Sequence, residues 1–481
     1  MSIRRCLILG CLVAGLQVLS AGQNPPPQPP PVQSPSDNDN RQAPAAALSG
    51  PILSAIAGMQ PEGDTEDASN DLPRIPALLG GAGISSAFLS ELERSNYLRG
   101  GVNVGAVYDD NPLLLSSGVE SNTSETIFPN IRIEESTSRI RWTLGYAGGL
   151  TVNQKITSQN QGSHNLNFDS QYRLSPHVNL RVAENFSMTT GFFDAGNGAG
   201  VIGSGGPNAS LIAPLSTQRS SMTTVETNYQ FALNDLIGVS GSFYDLHFTN
   251  VPAGTQLTDS QTATGSAFWL HRLFGTDWGG VSYNFQRITF SSNGETRVNS
   301  FLAVNTLNLS DRFTLTGFVG PQYLENQVLV LGAQQVTQSN NWSVAGGIEG
   351  GWANQRTSVA AGFSRNISDG GGLLGAVRLQ TVHGTFRREL VPGWAAAFTA
   401  SYGTNQSLIV PSATSASSIN LTSAGVSLER NVGKSVGLRL GYAHDFQEQH
   451  FVPTAPTPAQ DAGKNRFFVT LSYQWAKPLG M

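Results

Sequence analysis

Arginine is the residue type whose spacing in this sequence could do chemistry. Several arginines lie in stretches where apolar and polar residues alternate, and they share the polar parity. Guanidinium groups fixed on the wet side of such strands would attract anions or the acidic groups of sugars into a water-filled pore. The alternative is that each arginine pairs with a nearby acid or reaches to a rim. The candidates for a pore lining, one acid among them, are Arg132, Arg139, Arg141, Asp169, Arg181 and Arg439.

The other chemistry-bearing residues form no catalytic constellation. The seven histidines are scattered, and although His444 and Asp445 are neighbours, adjacent strand residues point to opposite faces. The sequence contains no Gly-x-Ser-x-Gly elbow, no His-Glu-x-x-His, no Cys-x-x-Cys and no phosphate loop. We therefore expect no enzymatic activity, no bound metal and no cofactor.

The segment 191–219 is long and rich in glycine. A loop of this length could fold into a lumen and constrict it, or sit outside as a binding surface. Its glycine-rich part has one carboxylate, that of Asp194, which favours a solvated loop over a calcium-binding repeat. As possible constriction or gating residues we name Asp194, Asn197 and Asn208.

The elements that would position these residues are strands with two unlike faces. In 139–150, 163–173 and 466–475, apolar and aromatic residues occupy one parity and polar or charged residues the other. One such hairpin would also fit a half-buried strand of a soluble sheet. Because the pattern recurs along the chain, it indicates a transmembrane antiparallel β-barrel of about 18 strands, with 16 as the alternative.

Short and long connections alternate between these strands. Gly, Asn, Asp and Pro occupy the short ones, as tight turns require. Such alternation is typical of an outer-membrane barrel, with short turns on the periplasmic side and long loops outside. An even strand count returns both ends to one side, so we expect the N-terminus in the periplasm of a Gram-negative bacterium.

Composition agrees with a barrel. Only 13% of the residues are charged and 39% are hydrophobic, whereas about a quarter are charged in soluble domains. Beyond the N-terminus no apolar run reaches the roughly 18 residues that a membrane helix needs. The net charge of −5 shows no basic face, so nucleic acid is not an expected partner.

The N-terminal 96 residues differ from the rest. Residues 1–22 resemble a signal peptide, and a lipoprotein signal ending at Cys11 is the alternative. Cleavage would remove both cysteines and, with Arg4 and Arg5, shift the charge from −5 to −7. Residues 23–96 read as a Pro-rich disordered linker with a possible short helix, which could meet a periplasmic partner. The barrel would span 97–481.

Some strands depart from strict alternation. Glu184 falls on the apolar parity of its strand, and the runs 236–248 and 376–388 mix parities. A lipid-facing acid costs on the order of 2 kcal/mol. We therefore expect β-bulges or a shifted register in some of these places.

Residues 100–150 carry a family resemblance. The run Tyr108-Asp-Asp-Asn111 ends the first strand, and Pro129 lies in the second. This order resembles β-barrel outer-membrane porins associated with capsular and exopolysaccharide export. The resemblance implies a passive conduit and supplies no catalytic residues. In addition, the last strand ends in the aromatic Trp475, similar to the signal read by the barrel-assembly machinery, although six residues follow it.

From these patterns we expect an outer-membrane β-barrel, in contact with membrane lipid, that serves as a passive porin or conduit for polysaccharide or small hydrophilic solutes. A closed or plugged barrel acting as a structural or adhesive surface protein is the alternative. A barrel enzyme is a third and weaker interpretation.

Overall fold

The fold is described from a computed structural model of the chain. No helix in the described part is long and apolar enough to cross a membrane. The expected signal peptide, the linker up to residue 95, and the residues Asp194, Asn197 and Asn208 lie outside the described residues. The structure describes residues 96–112, 119–157, 160–190, 217–249, 257–274, 277–291, 294–310, 312–330, 335–372, 374–408, 416–433, 435–451 and 461–479.

Eighteen antiparallel strands form one closed barrel, as predicted; the alternative of 16 was wrong. Each strand pairs with the next along the chain, and the last returns to the first, where Tyr97 faces Pro478 and Asp109 faces Arg466. The strands are β1 Tyr97–Asp109, β2 Asn122–Ser136, β3 Ile140–Asn153, β4 Gln161–Ser175, β5 Val178–Thr190, β6 Thr217–Ala232, β7 Asp235–Thr249, β8 Ser260–Phe274, β9 Asp277–Phe290, β10 Gly294–Ser310, β11 Phe313–Val330, β12 Gln335–Ala353, β13 Thr357–Ser368, β14 Val377–Val391, β15 Trp394–Ser407, β16 Ala416–Val432, β17 Val436–Phe451 and β18 Ala462–Pro478.

The two faces of each strand differ in chemistry. In β9, Val281 and Tyr283 point outward and are 55% and 37% exposed, whereas Ser282 and Asn284 point inward and are buried. The predicted alternation of β18 is likewise present, with Phe467, Val469, Leu471, Tyr473 and Trp475 on the outer face. An apolar outer surface around a polar interior is the reverse of a soluble protein and matches a barrel surrounded by lipid.

The two ends of the barrel differ in their connections. Strands join through three or fewer residues at what we call the short-turn end, for example 137–139 between β2 and β3. The opposite, long-loop end holds the longer connections, such as 191–216, together with shorter ones, such as 291–293. Apart from 291–293, the connections of the barrel therefore alternate in length as the sequence indicates.

The irregular strands are explained without the expected bulges. Glu184 keeps its outward position in an unbroken β5–β6 register. Its carboxylate accepts hydrogen bonds from Ser221, at 2.8 Å, and from Thr223, which lowers the cost of facing lipid. In β7 the register through 236–246 is also unbroken, and Tyr244 and Leu246 simply face inward. The register shift in β14 lies at its short-turn end, beyond 376–388.

One seam of the wall is incomplete. β12 pairs with β11 along 18 residue pairs, from Gln335 to Trp352. It pairs with β13 only from Gly346 to Ala353. Toward the long-loop end, β12 therefore has no neighbour on its β13 side, because the end of the β13–β14 hairpin bends into the barrel.

Candidate functional site: the barrel lumen

On the inner wall of β1 and β2, two guanidinium groups share one carboxylate. Nε of Arg132 lies 2.7 Å from Oε1 of Glu134, and Nε of Arg99 lies 3.3 Å from its Oε2. These side chains have the parity opposite to the exposed Ile127 and Ile131, so they face the lumen. Because two cations meet one anion, the group keeps a positive charge.

The neighbouring strands continue this charged wall. Arg181 on β5 binds Asp169 on β4 through Nη2, at 2.5 Å from Oδ2, and through Nε, at 2.7 Å. Arg141 points inward from β3 beside Gln171, and no acid of the described residues forms an ion pair with it. Arg139, which we expected on the inner face, lies instead in the exposed turn before β3.

A third arginine group lies on the other side of the closing strands. Glu429 on β16 is 3.4 Å from Nε of Arg439 on β17 and 3.5 Å from Nη2 of Arg387 on β14. Again one carboxylate serves two guanidinium groups. The predicted residue Arg439 is therefore inward and paired, and the sequence pattern alone did not reveal Arg99 or Arg387 as its counterparts.

The opposite wall is apolar, which sequence reasoning missed. Inward side chains of β7–β12 pack together in a buried cluster, which we call the apolar inner patch. Apolar residues on the inner parity contradict simple alternation, so the pattern gave no signal for them. The members of the patch are Leu236, Phe268, Leu270, Trp278, Leu302, Val304, Phe318 and Ala345.

The connection between β13 and β14 folds into the lumen; we call residues 369–376 the hairpin tip. Oδ2 of Asp369 accepts a hydrogen bond from Oγ of Ser260, the first residue of β8, at 2.7 Å. The backbone N–H of Thr258 donates to O of Gly372 at 2.9 Å. Four strands separate β8 from β13 around the barrel. The tip therefore crosses part of the lumen and narrows it at the long-loop end.

Apolar contacts hold both flanks of the hairpin tip. Leu374 packs against Val377 and Ile419. Ala376 and Ile367 join inner-wall residues of β9, β10 and β11 in a second buried cluster, with Leu408 beside it. Ile367 has the outward parity of its strand, so its burial there shows that the end of β13 has moved inside the wall.

Glycines permit this conformation. Gly370, Gly371 and Gly372 all have positive φ, from 58° to 85°. A Cβ on Gly372 would overlap the ring of Phe248, which is itself buried. The run of three glycines in 370–372 was thus the available sequence signal for an inward-folded loop, although only 191–219 was predicted as a possible constriction.

Burial raises the pKa of Asp369 above the usual value of an aspartate. The hydrogen bonds from Ser260 and from the N–H of Gly371 act in the opposite direction but do not outweigh burial. The docked tip therefore favours the neutral carboxyl group.

The Tyr108–Asn111 motif closes the barrel. Asp110 accepts hydrogen bonds from the backbone N–H and Nδ2 of Asn465 on β18, at 2.7 and 2.6 Å. Nδ2 of Asn111 donates to O of Gly463 at 2.9 Å. Asp110 and Asn111 therefore do more than form a strand exit, because they tie the first strand to the last.

Among the described residues, no three His, Cys, Asp or Glu side chains are grouped to hold a metal ion. Apart from the free edge of β12 at 335–345, the closed antiparallel barrel pairs its backbone groups between neighbouring strands, as a structure surrounded by lipid requires. The fold and its two faces define the class: the chain is a transmembrane β-barrel, the architecture of bacterial outer-membrane proteins.

No protein-family model and no curated protein matches this sequence. Among solved structures, the siderophore receptor PiuA from Acinetobacter baumannii matches with 9% identity and a TM-score of 0.40, over 80% of this chain and 82% of that one. OccAB3 from the same species matches with 9% identity and a TM-score of 0.39, over 79% and 99%. The outer membrane protein opdK from Pseudomonas aeruginosa matches with 9% identity and a TM-score of 0.38, over 79% of this chain and 99% of that one. These similarities concern the barrel architecture alone.

Proposed function

We propose that the protein is a passive outer-membrane channel for small hydrophilic solutes, with a preference for anions or for the acidic groups of polysaccharide. The observation that carries this proposal is the local excess of guanidinium groups over carboxylates in the two inward clusters around Glu134 and Glu429. Glu134 and Glu429 each contact two arginines, so each cluster keeps one uncompensated positive charge. Arg141 adds a further cation to the same wall as Glu134. A lumen with fixed positive charge concentrates anions and repels cations.

The polar wall and the apolar wall of the lumen would have different roles in this channel. Water and ions would not pass along the apolar inner patch. They would pass along the polar side of the lumen, which is formed by β14–β18 and β1–β6. The hairpin tip narrows the long-loop end and would act as the constriction. In this proposal the short-turn end faces the periplasm and receives the N-terminal segment, and β18 presents its aromatic face to the barrel-assembly machinery.

Single-channel conductance in a planar bilayer tests the proposal. The refolded chain from residue 23 onward is compared with a variant lacking 370–375. We expect steady steps with a reversal potential shifted toward chloride in a salt gradient, and larger steps in the shortened variant. Silence from both, in protein that shows a heat-modifiable folded band on gels, would overturn the channel.

The hairpin tip also favours a second candidate, a plugged barrel that works as a surface protein. Its anchoring by Ser260 and by two buried clusters is the specific observation behind this candidate. Conductance that appears only after removal of 370–375 would support a plug.

Liposome swelling with neutral and uronic-acid oligosaccharides then separates polysaccharide passage from passage of small solutes only.

A further inference from the structure

The apolar inner patch is more deeply buried than its position in the wall explains. Leu270, Trp278 and Leu302 point into the lumen, and each is 2% exposed. On the same strands as the two leucines, Trp269 and Phe301 point outward and are 43% and 60% exposed. Neighbouring strands shield a side chain from the sides but not along the direction in which it points. The patch is therefore covered from the lumen side.

The curvature of the wall does not account for this burial. Inward side chains of the polar wall lie on the same concave surface, and those of Arg132, Arg387 and Arg439 are 38%, 56% and 34% exposed. The hairpin tip is not the cover either. Its buried apolar side chains belong to two other clusters, and no residue of 369–376 is a member of the patch.

The covered wall also contains polar atoms that require partners. Nε1 of Trp278 and Oδ1 of both Asn228 and Asn284 are buried on the inner face, and within the described part of the chain none of them forms a hydrogen bond. Burial of such an atom without a partner is costly. The cover must therefore offer hydrogen-bond donors and acceptors together with apolar side chains, and a peptide segment offers both.

The patch begins at the end of the barrel where the chain enters it. Leu236 and Trp278 are the second residues of β7 and β9, at the short-turn end. Tyr97, the first residue of β1, lies at the same end. The long connection 191–216 joins its strands at the opposite end. The segment that precedes β1 is therefore better placed to meet the patch than this loop.

This segment is apolar enough and long enough to reach the patch. Within 75–92 Glu91 is the only charged residue, and the others are apolar residues, Gly, Ser and one Pro. An 18-stranded barrel is about 35 Å across between backbones, from the strand spacing and tilt. The 13 residues from Ile84 to Tyr97 span up to about 45 Å. The segment can therefore cross the lumen from β1 to the far wall.

We propose that residues 75–92 of this chain dock inside the barrel against the apolar inner patch. Their apolar side chains would cover Leu270, Trp278 and Leu302, and their backbone groups would pair with the buried polar atoms of the wall. The last part of the predicted linker would then lie in the lumen rather than in the periplasm. The arginine clusters lie on the other wall, so the docked segment would narrow the proposed channel without closing it. The docking itself does not depend on conductance.

Acrylamide quenching of tryptophan fluorescence tests the cover. In the refolded chain from residue 23 onward, the component that Trp278→Phe removes should be protected from acrylamide. Deletion of 75–92 should raise the quenching constant of this component several-fold, because the ring becomes exposed to the lumen. Deletion of 24–41 removes the same number of residues and should leave the constant unchanged.

Both deletion variants are compared as protein with a heat-modifiable folded band on gels. An unchanged quenching constant in the folded 75–92 deletion would overturn the proposal. Exposure of Trp278 that follows only a deletion within 191–216 would also overturn it and would assign the cover to that loop.

Cysteine labelling tests the segment itself. The sequence has no cysteine after Cys11, so Ile84→Cys gives the refolded chain a single thiol. A maleimide should label this thiol slowly in the folded barrel, whereas Ser36→Cys in the Pro-rich stretch should react at the rate of an unfolded peptide. Equal rates at the two positions would overturn the docked segment. A protected thiol at position 84 in a barrel without conductance would refute the proposed channel and leave the docking intact.

Substitutions in the patch connect the two measurements. Leu270→Gln with Leu302→Gln should accelerate labelling of Ile84→Cys roughly 5- to 30-fold, because the segment loses its apolar contacts. Thr399→Gln, on the polar inner wall, is the control and should leave the rate unchanged. An equal acceleration by Thr399→Gln would contradict docking on the patch.

Discussion

The hairpin tip should be released by a single methyl group at Gly372. The residue adopts φ of 85°, where a side chain costs roughly 1–2 kcal/mol. A Cβ there would also meet the ring of Phe248. That ring packs in a buried cluster with Met222, Tyr244 and Leu246, so it cannot swing aside freely. Gly372→Ala should therefore weaken docking of the tip by at least the backbone cost, which raises the undocked population roughly 5- to 30-fold.

Chemical labelling of a buried position measures this population. Leu374 is 5% exposed in the docked tip, and the sequence has no cysteine after Cys11. In the refolded chain from residue 23 onward, a maleimide should label Leu374→Cys at a rate that follows the undocked fraction. Adding Gly372→Ala should accelerate labelling roughly 5- to 30-fold, because the energetic cost falls on the docked state alone.

Gly433→Ala is the matched control. Gly433 also has positive φ, 67°, but a Cβ there would meet nothing within 4 Å, and it lies in a turn at the opposite end of the barrel. It should lower the stability of its turn without changing the labelling rate. An unchanged rate in Gly372→Ala, or an equal increase in Gly433→Ala, would refute the docked tip.

Three further predictions concern charge. Glu134→Gln should leave Arg99 and Arg132 without their carboxylate and shift the reversal potential further toward chloride. The control Glu325→Gln, at an outward position, should leave the reversal potential unchanged. A shift of the Glu134→Gln variant toward the cation would contradict the placement of this cluster in the lumen. Since burial raises the pKa of Asp369, the docked tip is most stable at low pH and loses this stability as pH rises through the raised pKa. Labelling of Leu374→Cys, corrected for thiol ionisation, should therefore become faster as pH rises. The substitution Asp369→Asn should abolish this pH dependence. Asp110→Ala should lower barrel stability by about 2 kcal/mol in the heat-modified gel shift, with the exposed Glu120→Ala as control; equal midpoints would dissociate Asp110 from closure.

The barrel itself could be predicted because its signal is local. The alternation in 139–150 and 466–475 places one face of each strand in lipid. A shift of either strand by one residue would turn its polar face toward lipid instead. The strand count followed from the same rule applied along the chain. Glu184 looked like an error only because the rule takes no account of a cross-strand hydroxyl from Ser221.

What the sequence did not reveal is non-local. Tyr244 and Leu246 disrupt the alternation of their strand because they belong to a buried inner cluster that Met222 of the neighbouring β6 completes. The docking of Asp369 on Ser260 joins residues 109 positions apart, so no window of sequence contains it. The inward positions of Arg132, Arg141, Arg181 and Arg439 were recognisable by parity, whereas the sharing of Glu134 and Glu429 between arginines depends on which strands are neighbours.

The closing contact also has a consequence for biosynthesis. Asp110 and Asn465 are 355 positions apart in the chain, so the first strand is made long before its partner. Until the last strand arrives, β1 has an open edge of unpaired N–H and C=O groups, the kind of surface that templates aggregation. Loop-closure entropy opposes a contact of this length until most of the wall has formed. The edge of β1 that later pairs with β18 therefore stays unpaired until the last strand has been made.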